Sequence, residues 1–266
     1  MTAEPVYEVY ALRYACRDAL RSNHFIGGDP HDGPMPMDYF LWVIRGPERT
    51  VVVDSGFTAE VAAQRGRTLL RDPIDALALL GVDVASVRDV VLTHLHYDHV
   101  GNFHRFPNAE FHLQEPDLHF AVGRHMRYAH LAQPFEVEDV VGIVRLNYAG
   151  RVRLHNGPVE LAPGITLHPA PGHSAGLQFV RVNTQRGAVV LASDVSHFYE
   201  NMESDRPFPI CVSVSDTLES FDRVKAAASS PHHIIPGHDP LVMQRYRAPS
   251  QSLQGIVVRL DEAPSE

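Results

Sequence analysis

A layered α/β domain, with two β-sheets packed together and helices outside, is the fold class this chain predicts. Three observations point to it. Short β-rich runs occur in both halves of the chain, and helix-patterned segments fall between them. Two runs, RDVVLTH around its apolar VVL and HHIIPGH around its II pair, read as short strands buried on both faces. With 44% hydrophobic residues, the 266-residue chain can bury a substantial core without disulfides or a structural metal. Residues 1–266 read as one domain.

Taken in order, YEVYALRYA alternates as a half-exposed strand does, and FLWVIRG followed by TVVVDSG reads as a hairpin pair. From about Thr58 to Leu80 the pattern is helical: Thr58 is a plausible N-cap, Pro73 interrupts, and Gly81 supplies a stop. RDVVLTH follows as a buried strand, and the segment at about 103–148 reads as a helical insert. Beyond it RVRL, PVEL, GITLHPA, LQFVRV and GAVVLAS are short strands separated by Gly, Pro and Asn turns. Asp216, with Glu219 three residues on, is expected to cap a helix that carries Leu218, Phe221 and Val224 on one face. HHIIPGH is the last buried strand.

Composition narrows the function. A formal net charge of −9 and no Lys/Arg run make nucleic acid and anionic membranes poor partners. No stretch of 18 apolar residues suggests a membrane span, and the N-terminus lacks the basic-then-apolar pattern of a signal peptide, so a cytoplasmic protein is expected. The two cysteines, Cys16 and Cys211, match no metal or redox spacing and fit a reducing compartment. The 17 histidines are the unusual number. Histidine is the commonest metal ligand, so clusters matter more than the total.

One cluster stands out. His94, His96, Asp98 and His99 form H-x-H-x-D-H directly after a buried strand. Two residues apart in an extended segment, His94 and His96 point to the same side, and a turn after them lets Asp98 and His99 face a second point nearby. Imidazoles suit zinc at one position, and mixed imidazole and carboxylate ligands suit a second, harder site. The alternative is a solvated loop whose histidines cap strand ends. Three further strands end in ligand-type residues: His173 in PAPGHSAG, Asp194 in LASD and His238 in IPGHDP. Alone each reads as structural. Together they complete the six to eight ligand atoms that two metals need.

The motifs THLHYDHVGN, PGHSAG, SD and PGHD resemble those of the metallo-β-lactamase superfamily, from roughly Phe40 to His238. The resemblance implies an αβ/βα four-layer sandwich with its site at one edge. It implies that His94, His96 and His173 bind one metal, that Asp98, His99 and His238 bind a second, and that Asp194 bridges them. Two Zn2+ per chain are the default, with Mn, Co or Fe as alternatives. Asp54, ending VVVDSG, matches a position near the site; it either supports a ligand or bonds turn amides. Two cations about 3.5–4 Å apart lower the pKa of a shared water towards about 7, and Asp98 can take or pass its proton. Ser174 and Ser193 flank the site without a nucleophile-elbow pattern.

Within the superfamily, the DYFLWVI and VVVDSG opening and the SD and PGHD contexts are similar to the acyl-homoserine lactonase branch. The implied reaction is hydrolysis of a lactone, an acyl-homoserine lactone or another small cyclic ester, by a metal-bridging hydroxide. That branch usually carries a tyrosine three residues after the bridging aspartate. Here the position is His197; either His197 or Tyr199, two further on, takes that role. As in that branch, Phe25, Ile26, Met35, Met37 and Tyr39 either wall an apolar substrate pocket or pack over the core. The 103–148 insert, with His104, His112, His119, His125 and His130 read as mostly surface residues, implies a lid or a homodimer contact. The alternatives are a glyoxalase II-like thioesterase, whose C-terminal helical region the residues after His238 are too few to form, and an iron-dependent persulfide dioxygenase. A diiron oxygen reductase prefers a carboxylate where this chain has His96.

Overall fold

A computed structural model describes residues 4–265. The chain opens with β1 (Glu8–Arg17), β2 (Met37–Arg45) and β3 (Thr50–Val53), then α1 (Ala59–Arg65), the short β4 (Thr68–Leu69) and β5 (Asp89–Val91). Next come α2 (Tyr97–Val100), β6 (Glu110–Gln114), α3 (Glu115–Ala121), α4 (Ala129–Ala132) and α5 (Val137–Tyr148). The second half runs β7 (Val152–His155), β8 (Val159–Ala162), β9 (Ile165–Pro169), β10 (Gln178–Thr184), β11 (Gly187–Ser193), α6 (Tyr199–Glu203) and α7 (Val214–Ala227). It closes with β12 (Ile234–Pro236), α8 (Leu241–Arg245) and β13 (Val257–Arg259).

Two sheets result. The first has the order β13-β1-β2-β3-β5-β6-β7, with β4 beside β1; the second has the order β12-β11-β10-β9-β8. Strands β3, β5, β6 and β7 are parallel, as are β11 and β12; the remaining pairs are antiparallel. Strand alternation sorts the side chains. Val9, Ala11, Phe40, Trp42 and Ile44 join β9–β12 in the core between the sheets. Tyr10, Leu12, Leu41 and Val43 turn the other way, onto the helices. Four layers therefore stack as helix, sheet, sheet, helix, the αβ/βα sandwich expected. Among the described residues no helix is long and apolar enough to cross a membrane.

Several expected elements need correction. The opening strand is covered on both faces rather than half-exposed, because the second sheet lies on one side and helices on the other. The Thr58–Leu80 helix is three pieces. Thr58 does cap α1, its hydroxyl accepting from the Val61 amide at 3.3 Å, but Gly66 turns left-handed at φ 63° and ends the helix there. The chain then pairs with β1 before a 3-10 turn at Asp75–Leu80 that Gly81 terminates. Helix α7 begins at Ser213, not Asp216: the Ser213 hydroxyl accepts from the Asp216 amide. The 103–148 segment is not all helix, since β6 within it fills the sheet between β5 and β7. Consequently His112 is buried, stacked on His155 and 3.2 Å from Asp89 Oδ1, instead of lying on the surface.

Candidate metal centre

The C-terminal ends of β3, β5, β9, β11 and β12 meet at one edge of the sandwich. After β5 the chain bends at Thr93 and reaches His96, itself extended at φ −70° and ψ 153°, and α2 begins immediately afterwards. The change from extended to helical backbone sends His94 and His96 one way and Asp98 and His99 another. His173 arrives from the β9–β10 turn and closes on the first pair, its Nε2 lying 2.9 Å from His96 Nδ1. His238, after β12, joins the second pair: His238 Nε2 and His99 Nε2 each lie 3.7 Å from Asp98 Oδ2. Asp194, after β11, stands between the trios. Its Oδ2 is 3.2 Å from His173 Nε2 and 4.0 Å from His94 Nε2, while its Oδ1 is 3.0 Å from His238 Nε2 and 3.4 Å from His99 Nε2. The structure brings all seven sequence-selected residues together, and none exceeds 8% exposure.

Their orientations are held from behind. Asp54 Oδ2 lies 2.7 Å from His99 Nδ1, and its Oδ1 accepts from the Thr93 amide at 2.8 Å, so it fills both roles considered for it. His238 Nδ1–H donates to the Asp38 carbonyl at 2.9 Å. Each of these bonds leaves Nε2 free to face the cluster, the usual arrangement behind metal-binding histidines. Asp54 and Ser193 take positive φ, 64° and 48°, rare for side-chain-bearing residues and here aligned with the strand ends that feed the site. Gly237 is required by space: a Cβ there would come within 2.7 Å of Asp194 Oδ1.

Asp117, at the start of α3, was not singled out from the sequence. Its Oδ2 accepts from the Leu95 amide at 2.7 Å, and its Oδ1 accepts from the Ser174 hydroxyl at 2.6 Å and the Gly176 amide at 3.1 Å. One buried carboxylate thus ties the His94–His99 loop to the His173 turn. Ser174 is committed to that bond, and the Ser193 hydroxyl donates to Thr93 Oγ1 at 3.0 Å, so neither serine is poised as a nucleophile.

Electrostatics separates the histidines. Burial drives His94 and His96 well below the ordinary imidazole range, with neighbouring imidazoles adding, and lowers His173 to about 3. These rings are neutral, the form in which imidazole binds a cation. Burial also opposes protonation of His99 and His238, but the carboxylates around them, Asp194 foremost, outweigh it and raise both. Nε2 of His94, Nε2 of His99 and Oδ1 of Asp194 are buried with no hydrogen-bond partner among the described residues. Buried polar atoms are ordinarily partnered. Five imidazoles and two carboxylates converging at one place, with His99 and His238 able to give up their protons to a metal, fit divalent cations, zinc among them.

Over the cluster opens a cleft of about 110 Å³ whose lining includes His96, Asp98, His173, Asp194, His197 and His238. His197 lies 3.0 Å from Asp194 Oδ2 through Nε2 and stacks on Phe208 at 3.7 Å. Burial lowers it to about 4. Tyr199 is a correction: it packs in the core between the sheets under the Arg245 guanidinium, 4.0 Å from its ring, and does not face the cleft. It opens α6 with its ring turned into that core. Of the five residues considered for the pocket wall, Met37 and Tyr39 line the cleft. Phe25 packs under Arg21 and Arg206, Met35 lies against the Met37–Phe198–Phe208 cluster, and Ile26 is exposed. Arg17, Arg65, Arg67, Tyr97, Phe208 and Ile210 also line the cleft and had no sequence signal, being scattered single residues.

Fold and site together define a layered α/β protein with a candidate two-cation centre built from strand ends. Residues 37–241 match the model of the metallo-beta-lactamase superfamily, and the chain belongs to that superfamily. It is 29% identical over 168 residues to an N-acyl homoserine lactonase of Bacillus thuringiensis, a match covering 62% of this chain and 61% of that protein. It is 27% identical over 237 residues to the N-acyl homoserine lactonase AttM of Azorhizobium caulinodans, covering 80% and 85%. A solved quorum-quenching N-acyl homoserine lactone lactonase superposes with a TM-score of 0.75 at 21% identity, over 91% of this chain and 95% of that one. AidC, a dizinc quorum-quenching lactonase, superposes at 0.67 with 16% identity, over 90% and 89%.

Proposed function

We propose that this chain is a metal-dependent hydrolase that opens lactones, with His94, His96 and His173 holding one divalent cation, Asp98, His99 and His238 a second, and Asp194 between them. The observation that carries this reading is the Asp194 carboxylate, which turns one oxygen to the His94, His96 and His173 group and the other to the Asp98, His99 and His238 group. Cations held there, zinc by ligand type, supply Lewis acidity that polarises an ester carbonyl and makes water acidic enough to attack near neutral pH. The protein's own part is orientation and proton traffic. Asp54 and the Asp38 carbonyl fix two of the imidazoles. Asp98 borders the cleft and can take up the proton that an attacking water gives up. His197 sits where the substrate must pass and shapes the space above Asp194.

Acyl-homoserine lactones, the substrates named for the relatives, are one candidate class. Val122, Tyr128, Val137 and Tyr148, all exposed on the 103–148 segment, are what a homodimer would cover. The free cysteines fit a reducing, cytoplasmic setting. The test is metal analysis of the purified protein together with a pH-indicator assay over aliphatic lactones, aromatic lactones, thioesters and β-lactams. About two ions per chain and lactone opening that disappears in metal-stripped protein are expected. Thioester cleavage without lactone cleavage overturns the reading in favour of a glyoxalase II-like enzyme, and one iron per chain favours a dioxygenase.

A further inference from the structure

The rim of the cleft carries more positive charge than a neutral lactone can use. Arg17, at the end of β1, Arg65, the last residue of α1, and Arg67, two residues further on, converge there although the chain as a whole is at −9. Arg65 is answered: Glu136 Oε1 lies 2.6 Å from its Nη2, and its guanidinium rests 4.1 Å from the Tyr97 ring centroid. Arg67 is not. Its Nε–H donates to the Tyr97 hydroxyl at 2.9 Å and its Nη1 donates to the Arg65 carbonyl at 2.6 Å, both neutral acceptors. Neither Arg67 nor Arg17 has an ion-pair partner among the described residues, and both are half-buried.

The Arg67 charge is also held near the reacting position. Tyr97 Oη lies 3.4 Å from Tyr39 Oη, and the Tyr39 ring stands edge-on to His238 at 5.0 Å. Two phenols therefore link the guanidinium to the metal cluster along one wall. Phe208 and Ile210 add apolar lining to the same cleft. A half-buried guanidinium with only neutral acceptors is a standing site for an oxyanion, and a fork of fixed donors recognises one strongly.

We propose that the cleft takes a lactone bearing an anionic group, a carboxylate or a phosphate, which Arg67 and Arg17 bind while the ester lies over Asp194. This rests on the lactonase reading and deepens it. The experiment compares a γ-lactone carrying a carboxylate, its phosphomethyl counterpart and its neutral methyl ester, using metal-loaded enzyme. The anionic forms should have kcat/KM higher on the order of 10- to 100-fold, the range of a charge-assisted bond. The preference should sit mainly in KM and fall with added salt. It should collapse in Arg67→Met and Arg17→Met and be partly kept in Arg67→Lys. Whichever anionic substrate leads tells carboxylate from phosphate.

A second arm does not depend on turnover. Calorimetry with pyroglutamate, a γ-lactam carboxylate, against its methyl ester should show the same preference and the same loss in both variants. If no lactone is opened but this binding preference stands, the lactonase reading fails and the anion site survives. Equal handling of charged and neutral forms overturns the inference. So does an anion preference that persists in the Arg17→Met/Arg67→Met double variant, because the metals alone would then account for it.

Discussion

Asp54 shows how much one side chain decides. Its left-handed backbone lets a single carboxylate reach Thr93 and His99 together. Asp54→Ala should weaken metal binding about 10- to 100-fold, the usual effect of losing such a support; titration with a chelator of known affinity measures it, and unchanged affinity would sink the assignment. His197 is the residue-scale departure from the lactonase pattern. His197→Phe should leave the metal content unchanged while lowering turnover, and equal turnover removes it from the reaction. At this scale the seven clustered residues were legible because chemistry restricts which side chains can hold cations and strand ends place them predictably. Tyr199 was misplaced because numerical nearness to Asp194 does not say which way a side chain turns, and this one turns into the core between the sheets.

Among the elements, legibility followed local signals. The hairpin of β2 and β3, the cap at Thr58 and the buried faces of Phe221 and Val224 on α7 could be read from pattern alone. Strand β6 could not: EFHLQ is five residues long with polar members, and it is a strand because parallel neighbours take up its backbone on both sides. The α1 region failed for the opposite reason, since a helical pattern ran on past Gly66 and tertiary pairing with β1 overrode it. Helix α5 offers a test. Burial and the nearby Glu136 charge raise Asp139 to about 6, and its Oδ2 has no hydrogen-bond partner among the described residues. With a folded value above the unfolded one, the fold favours the protonated acid. That contribution is complete below about pH 4 and is lost as pH rises past about 6. Asp139→Asn should therefore stabilise by about 1 kcal/mol, discounted for partial exposure, at about pH 7.5. Thermal melts should show the gain shrinking near pH 4.5; a gain independent of pH contradicts it.

For the molecule as a whole, the seven candidate ligands come from both sheets: His94, His96, Asp98 and His99 follow β5 in one, and His173, Asp194 and His238 follow strands of the other. Cations bound there cross-link the sandwich. A metal at about a thousand times its Kd adds about 4 kcal/mol to folding, so chelation should lower Tm by roughly 10 °C, reversed by zinc. Metal loss with an unchanged Tm contradicts this. The sandwich was legible from strand order and from the superfamily motifs. The arginine rim was not, because Arg17, Arg65 and Arg67 become neighbours only when β1, β4 and the His94 loop close on one another.

Asp117 has a consequence for motion. The amides of Leu95 and Gly176, some eighty positions apart along the chain, share its carboxylate as their common acceptor. Solvent deuterium can reach neither until that carboxylate lets go. The two amides should therefore exchange in step, as a single latch, and Asp117→Asn should quicken both at once while leaving the middle of β10 protected.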